Sequence, residues 1–379
     1  MRLLKVLHFI LGKANKNRAN GVNQVIAGLA KYTARLGAEV RVVGKAESVA
    51  YEGEIIQRDG FEVEAYSYWG KPLRAALEEH IDWADVVHLH GTYSLWNLLV
   101  GRMCGKAVKS YIVTLHDGLA PERAKSRGKI RKYIFHTVAQ KRHLNNAAAV
   151  HVLTEEEATD LFAAAIPRRV FCIPNGIDQE DYPAYNPRDL SFSKSLIIGC
   201  LGRLSAEKNL DSLCQAVENL SSDIDIRLIL AGPETKYGKK LVSRYSNSNI
   251  ELVGPKFGKE KEDFINSLDL FIHPSLCEVF SIAGMEVLAS GTPLLITRTS
   301  KASYFYNRNA FFMCEPTVFG LESAIKRALD KKDDWPQMIV NGRRLVEDTF
   351  NWKIAAGNMH AAYNQIVERK YEARSGRLD

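Results

Sequence analysis

Two glutamates, Glu278 and Glu286, stand eight residues apart around a predicted helix start, a spacing that suits a ligand site. The apolar run 268–273 predicts a buried strand, and the proline after it cannot continue a central strand, so a loop must follow. Ser281 can cap the next helix and Gly291 can end it. The N–H groups at such a helix start favour an anion such as phosphate, while a nearby carboxylate accepts hydrogen bonds from sugar hydroxyls. The alternative is that both acids are solvated or ion-paired at the surface.

Two cations follow an earlier predicted strand at 195–201. Arg203 and Lys208 come directly after it, where doubly wound sheets bind their ligands, and two cations there suit a diphosphate. The carboxyl ends of parallel strands share one edge of a sheet. We therefore expect both cations to converge with Glu278 near the helix start at Ser281. The other interpretation is that they are two ordinary surface charges in a loop.

The first half of the chain offers a complementary set of groups. Gly21 opens the first predicted helix and would let backbone amides approach a phosphate closely. His116 follows the predicted strand 110–115, at a carboxyl edge, where an imidazole can donate to a sugar hydroxyl or to a developing charge. His88 and His90 stand two apart on a buried-type strand and point the same way. Because the spacing supplies no third metal ligand, we favour structural or acceptor-side roles for them.

Composition limits the class of protein. At 379 residues the chain exceeds what one hydrophobic core usually organises, so two domains are expected. No apolar run approaches the ~20 residues that span a bilayer, so we expect any membrane contact to be peripheral. The opening residues 1–11 lack a small-residue cleavage site and are predicted to form a buried strand, not a signal peptide. The six scattered cysteines predict reduced thiols and a cytoplasmic protein.

The net charge of +7 is unevenly placed. Segment 123–142 carries eight lysines and arginines, and Glu122 is the acid that borders it. Such a run is more often a solvated helix face, but it can also meet an anionic membrane or a phosphorylated acceptor. No helix-turn-helix, zinc knuckle or RNA-binding strand accompanies the charge, so nucleic acid is not an expected partner.

Short apolar runs alternate with helical patterns along the whole chain, which indicates an α/β protein with parallel sheets built from strand-helix-strand units. The first series has predicted strands at 5–11, 39–43, 61–66, 85–90, 110–115, 148–153 and 170–173, and predicted helices at 22–36, 71–82, 94–104, 128–147 and 155–165. A proline-bearing linker is predicted at 182–187. The second series has predicted strands at 195–201, 226–231, 250–253, 268–273 and 293–297, and the residues from 333 onward are predicted to be helical.

These segments together resemble the retaining glycosyltransferases of the GT-B fold, in particular the large family 4 of bacterial nucleotide-sugar transferases. The resemblance covers nearly the whole chain. It is carried by the Glu-x7-Glu motif of Glu278 and Glu286 with Gly291 and Pro293, the loop 202–209, the turn 174–178, the loop at Gly21, and His116 with Asp117.

The resemblance implies two Rossmann-like, doubly wound parallel-sheet domains that face a central cleft. Residues 1–183 would form the N-terminal acceptor domain and residues 184–350 the C-terminal nucleotide-sugar domain. Residues 351–379 would form a C-terminal helix that crosses back to the N-terminal domain. The implied catalytic residues are Glu278, His116, Lys208 and Arg203, and the implied donor-binding residues are Gly21, Arg203, Lys208, Glu278, Phe280, Ser281, Ile282 and Glu286.

The family pattern also implies a role for each group. Arg203 and Lys208 would hold the diphosphate, while Glu278 would bind the donor sugar and Glu286 the ribose. His116 would lie near the reacting face of the sugar, and the Gly21 loop would cover the phosphates. The chain departs from the pattern at three positions, where Ser281 replaces a glycine after Phe280, Val287 replaces an alanine, and Asn20 precedes Gly21 in place of a second glycine.

The implied activity is transfer of a sugar, with retention, from a nucleotide-diphosphate sugar to a glycan or lipid-linked acceptor in cell-surface polysaccharide or glycoconjugate synthesis. We expect no cofactor and no metal, because the cations and the helix start can stabilise the departing diphosphate. The expected location is the cytoplasm, at the inner face of the cytoplasmic membrane. Two alternatives stay open: an inactive nucleotide-sugar-binding homologue that acts as a partner, and a GT-B phosphorylase or epimerase.

Overall fold

The computed structural model describes residues 3–14, 21–120, 134–182, 195–245, 249–278, 281–299 and 309–374. The chain divides into two compact units. Unit 1 comprises Met1–Gly176 and Trp352–Asp379, and unit 2 comprises Ile177–Asn351. Most of the predicted linker, including the predicted boundary at 183/184, lies outside the described residues.

Unit 1 is built on an eight-stranded sheet. Its strands are β1 (Lys5–Ile10), β2 (Glu39–Lys45), β3 (Glu54–Arg58), β4 (Phe61–Tyr66), β5 (Val86–His90), β6 (Ser110–Thr114), β7 (Ala149–Val152) and β8 (Val170–Cys172). They lie in the order β3-β4-β2-β1-β5-β6-β7-β8, and all pairs are parallel except β3 with β4. The central strands β5 and β7 are buried throughout, because helices cover both faces of a parallel sheet.

Five helices precede unit 2 in the described part of the chain. They are α1 (Gly21–Arg35), α2 (Lys71–Trp83), α3 (Leu95–Lys106), α4 (Lys141–Asn146) and α5 (Glu155–Ala164), and a π-helical turn over His136–Gln140 leads into α4. Side-chain caps start two of them. The Ser94 hydroxyl accepts the Asn97 N–H at 3.2 Å, and the Thr154 hydroxyl accepts the Glu157 N–H at 3.1 Å.

Unit 2 has a six-stranded, fully parallel sheet in the order β11-β10-β9-β12-β13-β14. Its strands are β9 (Leu196–Leu201), β10 (Ile226–Ala231), β11 (Ile250–Leu252), β12 (Leu270–His273), β13 (Leu294–Thr297) and β14 (Phe312–Cys314). Its helices are α6 (Leu210–Leu220), α7 (Lys236–Arg244), α8 (Gly258–Asn266), α9 (Ile282–Ser290), α10 (Val318–Asp330) and α11 (Trp335–Asp348). The strand order reverses between β9 and β12, where such sheets bind their ligands.

The last helix, α12 (Trp352–Arg374), belongs to unit 1 and packs on α1. A Cβ added at Gly28 of α1 would lie 2.2 Å from the indole of Trp352, so the two helices meet at a glycine. None of the helices in the described residues carries a stretch long and apolar enough to cross a membrane.

The structure differs from the sequence prediction in two strands. The edge strand β3 alternates partly buried and exposed side chains, and β14 has only three residues, so neither has a strong apolar signal. The predicted helix 128–147 begins outside the described residues, and its described part contains the π-helical turn. The predicted C-terminal helical region is interrupted between α11 and α12, where Ile177 forms a β-bridge with Asn351.

Candidate functional site

The strand-order reversal of unit 2 brings Lys208 and Glu278 together. Lys208 follows β9 and Glu278 follows β12, and the Lys208 Nζ forms an ion pair with the Glu278 Oε2. Two more donors reach the same carboxylate oxygen: the His273 Nε2–H at 3.2 Å and the Ser275 hydroxyl at 3.4 Å. Both side chains of the ion pair stay partly accessible, at 22% and 23%.

These contacts determine the charge of each group. Burial alone would raise the pKa of the Glu278 carboxyl, but the Lys208 charge and the His273 hydrogen bond outweigh it and hold that pKa well below its usual range. Burial and the Lys208 charge lower the pKa of His273. Glu278 is therefore ionised at neutral pH and His273 is neutral.

Hydrogen bonds to backbone carbonyls hold the site loops in place. The Leu276 N–H donates to the Glu207 carbonyl at 2.9 Å, and the Thr297 hydroxyl of β13 donates to the Ser275 carbonyl at 2.6 Å. Asn209 adopts the left-handed conformation, with φ of 54°, and its amide donates to the Pro316 carbonyl at 3.0 Å. These hydrogen bonds fix the positions of the loops around Lys208.

Glu286 forms a second ion pair on α9. Its side chain is buried, and its Oε1 lies 2.5 Å from the Nζ of Lys261 on α8. The Tyr182 hydroxyl also bonds to Glu286; burial and the Glu286 charge raise the pKa of Tyr182 well above its usual value. The sequence analysis missed Lys261 and Tyr182, because neither lies near Glu286 in the chain and no spacing rule joins them.

The start of α9 is capped as predicted. The Ser281 hydroxyl accepts the Gly284 N–H at 3.0 Å, Ile282 is the first helical residue, and Gly291 ends the helix in the left-handed conformation with φ of 74°. A serine in place of the family's glycine therefore supplies a helix cap. Phe280, the neighbouring predicted donor-binding residue, lies outside the described residues.

Arg203 lies on the loop after β9 but is separate from the Lys208–Glu278 pair in its contacts. Its side chain is 62% exposed and its guanidinium lies 3.6 Å from the carboxylate of Glu207, four residues further along the chain. Within the described part of the chain, the predicted convergence therefore holds for Lys208 and Glu278, whereas the ion pair of Arg203 is with Glu207.

In unit 1, His116 follows β6 in an unusual backbone conformation. His116 and Asp117 are consecutive non-glycine residues with positive φ, 49° and 67°. The buried Glu157 holds this turn, because its carboxylate accepts the Asp117 N–H at 2.8 Å and the Leu153 N–H at 2.7 Å. Such strained turns cluster at functional sites. The sequence analysis missed Glu157, which lies about forty residues away.

A buried hydrogen-bond chain fixes the tautomers beneath this turn. The Ile173 carbonyl can only accept, so the His151 Nε2, 2.8 Å away, carries the proton and the His151 Nδ1 is an acceptor. The Thr114 hydroxyl therefore donates to His151 at 2.8 Å and accepts from the His88 Nε2–H at 2.6 Å. The His88 Nδ1 is then an acceptor for the Tyr363 hydroxyl of α12, at 2.7 Å.

A second chain joins His116 to the core. The His90 Nδ1 lies 3.1 Å from the His116 Nε2, and the His90 Nε2 lies 2.9 Å from the His8 Nδ1. Burial lowers the pKa of His116 and of His8 to about 3, so both imidazoles are neutral at pH 7. His8 is a third imidazole beside His88 and His90, which sequence spacing did not reveal. Since hydrogen bonds occupy both nitrogens of His88, the cluster fits a structural role better than a metal site.

Gly21 is the exposed first residue of α1, and Asn20 before it lies outside the described residues. The loop after β1 is tied to this helix by Asn23, whose side-chain oxygen accepts the N–H of Lys13 at 3.1 Å and of Ala14 at 3.0 Å. The start of α1 is therefore held at the carboxyl end of β1.

Comparison with known families agrees with the two-unit architecture. The model for "Glycosyl transferases group 1" matches residues 183–345, and the model for "Glycosyltransferase Family 4" matches residues 19–181. The chain is a family 4 glycosyltransferase of the GT-B fold.

Sequence relatives of this glycosyltransferase include three named proteins. One subunit of the human phosphatidylinositol N-acetylglucosaminyltransferase is 26% identical over 60% of the chain and 47% of its own length. An MMP alpha-(1->4)-mannosyltransferase of Mycolicibacterium hassiacum is 24% identical over 63% of the chain and 59% of its own length. A D-inositol 3-phosphate glycosyltransferase of Xylanimonas cellulosilytica is 23% identical over 93% of each chain. The glycosyltransferase thus spans about half the length of the first two relatives and nearly all of the third.

Solved structures give the same fold. A sucrose-phosphate synthase from Thermosynechococcus elongatus superposes with a TM-score of 0.80 at 18% identity, over 97% of the glycosyltransferase and 100% of that chain. Anabaena Alr3699/HepE, solved in complex with UDP-glucose, superposes with a TM-score of 0.72 at 18% identity, over 98% of the glycosyltransferase and 100% of that chain.

Proposed function

We propose that this glycosyltransferase moves a sugar from a nucleotide-diphosphate sugar to a glycan or lipid-linked glycan acceptor, in cell-surface polysaccharide or glycoconjugate synthesis. The observation that carries the proposal is the Lys208–Glu278 pair at the strand-order reversal of unit 2, beside the capped start of α9. A cation, helix-start amides and a carboxylate in that place suit a diphosphate with an attached sugar. The complex of HepE with UDP-glucose and the names of the relatives support the same substrate class.

Each charged group has a proposed role in donor binding. The Lys208 ammonium binds the diphosphate together with the N–H groups at Ser281 and Ile282. Glu278, held ionised by Lys208, accepts hydrogen bonds from the donor sugar. Glu286 accepts hydrogen bonds from the ribose, with its remaining charge balanced by Lys261.

Four further groups complete the proposed site. Arg203 reaches the diphosphate when its exposed ion pair with Glu207 opens. Phe280 and the amides at Gly21 are proposed as further donor contacts. His116 is proposed to act as a neutral hydrogen-bond donor near the reacting sugar, because burial keeps it uncharged.

We propose transfer with retention and without a bound metal. Positive charge from Lys208 and the helix-start amides can stabilise the departing diphosphate, an effect typically worth about 2.7 to 4 kcal/mol per contact in oxyanion sites. The ion pair of Glu278 with Lys208 weakens it as a nucleophile, which favours same-face transfer through an oxocarbenium-like state over a double displacement. An Asp-x-Asp triplet at Asp223 and Asp225 precedes β10, at the amino edge of the sheet and away from this site.

The proposed location is the cytoplasm, at the inner face of the cytoplasmic membrane, with peripheral contact through the basic segment 123–142. Of that segment the structure describes residues 134–142, which include the exposed Lys141 and Arg142. Such cations would attract anionic headgroups.

The test is a panel of UDP-, GDP- and ADP-sugars. Thermal scanning should show stabilisation by one nucleotide class, since a ligand at 100 times its dissociation constant adds about 2.7 kcal/mol. NMR of the product formed with that donor should show a retained anomeric configuration, at a rate that a chelator leaves unchanged. Donor binding without turnover on any acceptor would indicate an inactive homologue, and turnover that requires inorganic phosphate would indicate a phosphorylase. An inverted product or a rate lost on chelation would overturn the corresponding part of the proposal.

A further inference from the structure

Unit 1 contains a cavity of about 570 Å³ at the amino edge of its sheet. Ser110, which begins β6, lies in its wall, whereas His116 follows the other end of the same strand. The remaining wall comes from α3, the π-helical turn, α4, α12 and the loops that lead into β6, β7 and β8. The volume lies within the range of small-molecule sites, about 300 to 1,000 Å³.

Among the residues that the structure describes, the charged side chains of this cavity are all basic. Five basic residues and no carboxylate line it in the stretches of residues 3–374 that are described; the basic residues are Arg102, Lys109, Arg142, Arg168 and Lys370. Lys109 has a structural role, because its ammonium donates to the carbonyls of Asp82 and Ala84 at 2.6 and 2.9 Å. In the described part of the chain, by contrast, the three arginines form no ion pair.

The inner wall is shaped by an imidazole. His143 is buried and stacks on Tyr111, with ring centroids 5.2 Å apart, and the Tyr111 hydroxyl donates to the His143 carbonyl at 2.7 Å. A Cβ added at Gly101 would lie 2.6 Å from the His143 ring, so glycine is required on α3 to admit the ring. Burial lowers the pKa of His143 to about 4, which keeps this wall neutral beneath the arginines.

The rim of the cavity carries strain. Val108 has a φ of 52°, a backbone conformation that is unfavourable for a β-branched residue. Its apolar side chain is also 65% exposed to water. Val108 follows Ala107, the C-cap of α3, at a position where glycine is usual, and the Lys109 N–H donates to the Cys104 carbonyl at 2.9 Å across it. Val138, 73% exposed, is a second apolar residue of the lining. An exposed, strained apolar rim beside arginines without ion pairs in the described residues points to a ligand.

A structural explanation accounts for part of the charge only. Helix carboxyl ends at this edge attract cations, and Lys109 serves the end of α2 in that way. Arg102 is in the body of α3, and Arg168 is in the loop before β8, so neither is placed as a helix cap.

We propose that this cavity is an anion site that takes a phosphate group, whether from a soluble phosphorylated molecule or from a lipid headgroup. Arg102, Arg142 and Arg168 bind the phosphate oxygens, and the exposed valines contact the apolar part of the ligand. The cavity lies at the amino edge of the unit 1 sheet and shares no residue with the proposed donor site.

The first arm of the test uses radiolabelled pyrophosphate in equilibrium dialysis. Lys208→Ala removes competition from the donor site and serves as the background. Pyrophosphate should still bind to this background, and the added pair Arg102→Gln with Arg168→Gln should weaken that binding by about tenfold or more, because charge-assisted hydrogen bonds are lost. Arg74→Gln, an exposed arginine of α2 outside the cavity, is the matched control and should change nothing.

The second arm measures co-sedimentation with vesicles of equimolar phosphatidylcholine and phosphatidylglycerol. If a headgroup is the ligand, the double variant should lose vesicle binding by about tenfold or more and pyrophosphate should displace the unmodified protein. Pyrophosphate binding that depends on the arginines, with vesicle binding that does not, assigns the cavity to a soluble ligand.

The proposal is overturned if the double variant binds pyrophosphate and vesicles as the background does, or if Arg74→Gln weakens binding as much as the cavity variants do. The latter result would show general surface electrostatics. Because the arginine variants lie outside the donor site, their transfer rate with a soluble acceptor should be unchanged, so failure here leaves the proposed transfer reaction unaffected.

Discussion

The candidate functional groups are charged at one sheet and neutral at the other. At the carboxyl edge of the unit 2 sheet the groups are charged and paired, as Lys208 with Glu278 and Lys261 with Glu286. At the corresponding edge of the unit 1 sheet, His116 is neutral and is joined by hydrogen bonds to buried imidazoles. The unit 2 edge is thus suited to binding charged groups, and the unit 1 edge is suited to donating or accepting single hydrogen bonds.

The difference follows from burial. The Lys208–Glu278 pair keeps about a fifth of each side chain in solvent, which limits the cost of desolvating both charges. His8 and His88 are fully buried, and neither has an acid among its described partners, so the neutral imidazole is the stable form. A charged side chain is therefore stable at a site that offers an oppositely charged partner and some contact with water. Where both are missing, the neutral form of the side chain is stable.

The largest expected difference is in acid stability: lowering the pH should destabilise unit 1 more than unit 2. Nine of the ten histidines belong to unit 1, and burial lowers the pKa of seven of them, namely His8, His88, His90, His116, His143, His151 and His360. In the unfolded chain these residues take up protons near pH 6.5, while in the folded unit burial keeps them neutral to lower pH. The lowered pKa is about 4 for His143 and His151 and about 3 for His8 and His116. The contribution of these histidines to the unfolding free energy is therefore fully present above pH 6.5. It is lost as the pH falls, by up to about 1.4 kcal/mol per pH unit for each histidine.

Hydrogen exchange at pH 7 and pH 5, corrected for intrinsic rates, measures this difference. Amides of β1 and β5 should lose more protection than those of β10 and β13, since unit 2 has His273 as its single histidine. Equal losses in the two sheets would mean that the imidazoles of unit 1 are not held neutral.

The charged edge should be the more sensitive to single substitutions in catalysis. Lys208→Ala and Glu278→Ala should each lower the transfer rate by about 10² to 10³, the effect of removing one contact to developing charge. Their melting temperatures should stay within a few degrees of the unmodified protein, because both side chains are partly exposed. The matched control is Lys239→Ala, which removes an exposed ion pair with Glu234. Near-normal turnover in either site variant would remove the pair from the mechanism.

At the neutral edge of the unit 1 sheet, we expect substitutions to lower stability more than activity. Tyr363→Phe deletes the donor to the His88 Nδ1 and should lower the unfolding free energy of unit 1 by about 1 to 3 kcal/mol, the cost of a buried polar atom without a partner. Calorimetry of this variant beside Tyr51→Phe, an exposed tyrosine, isolates the effect of burial. Identical melting curves would show that the tautomer chain contributes nothing to stability.

Arg203 should give the smallest effect. It is exposed and its ion pair with Glu207 is screened by solvent, so Arg203→Ala should raise the KM for the donor by no more than about tenfold. Glu207→Ala should act in the opposite direction, because it releases Arg203 toward the diphosphate. A loss as large as that of Lys208→Ala would show that Arg203 belongs to the same cluster when the donor is bound.

The sequence predicts the parallel architecture well, because long apolar runs and helix caps carry their own local signals. Ser281 is the clearest case, since a hydroxyl before an apolar run can be read as a cap without knowledge of any neighbour. The short strand β14 and the edge strand β3 are missed because their position depends on the pairing partner, not on composition.

Site partners are harder to predict than site residues. The family motif marks Glu278 and Glu286, but their partners His273 and Lys261 come from the end of a strand and from another helix. Glu157 holds the His116 turn from α5 in the same way. Such contacts arise only when the sheet brings distant segments together, so a pattern along the chain carries no information about them.

The return of α12 to unit 1 has a consequence for synthesis on the ribosome. The Tyr363 hydroxyl completes the hydrogen-bond chain at His88, and Trp352 packs on Gly28, yet both are translated after all of unit 2. Unit 2 is continuous in the chain and can form its core as soon as it emerges, whereas α1 of unit 1 stays uncovered until α12 has been translated. The nascent chain is therefore expected to finish its second half first, and a truncation before Trp352 should leave the first half needing a chaperone.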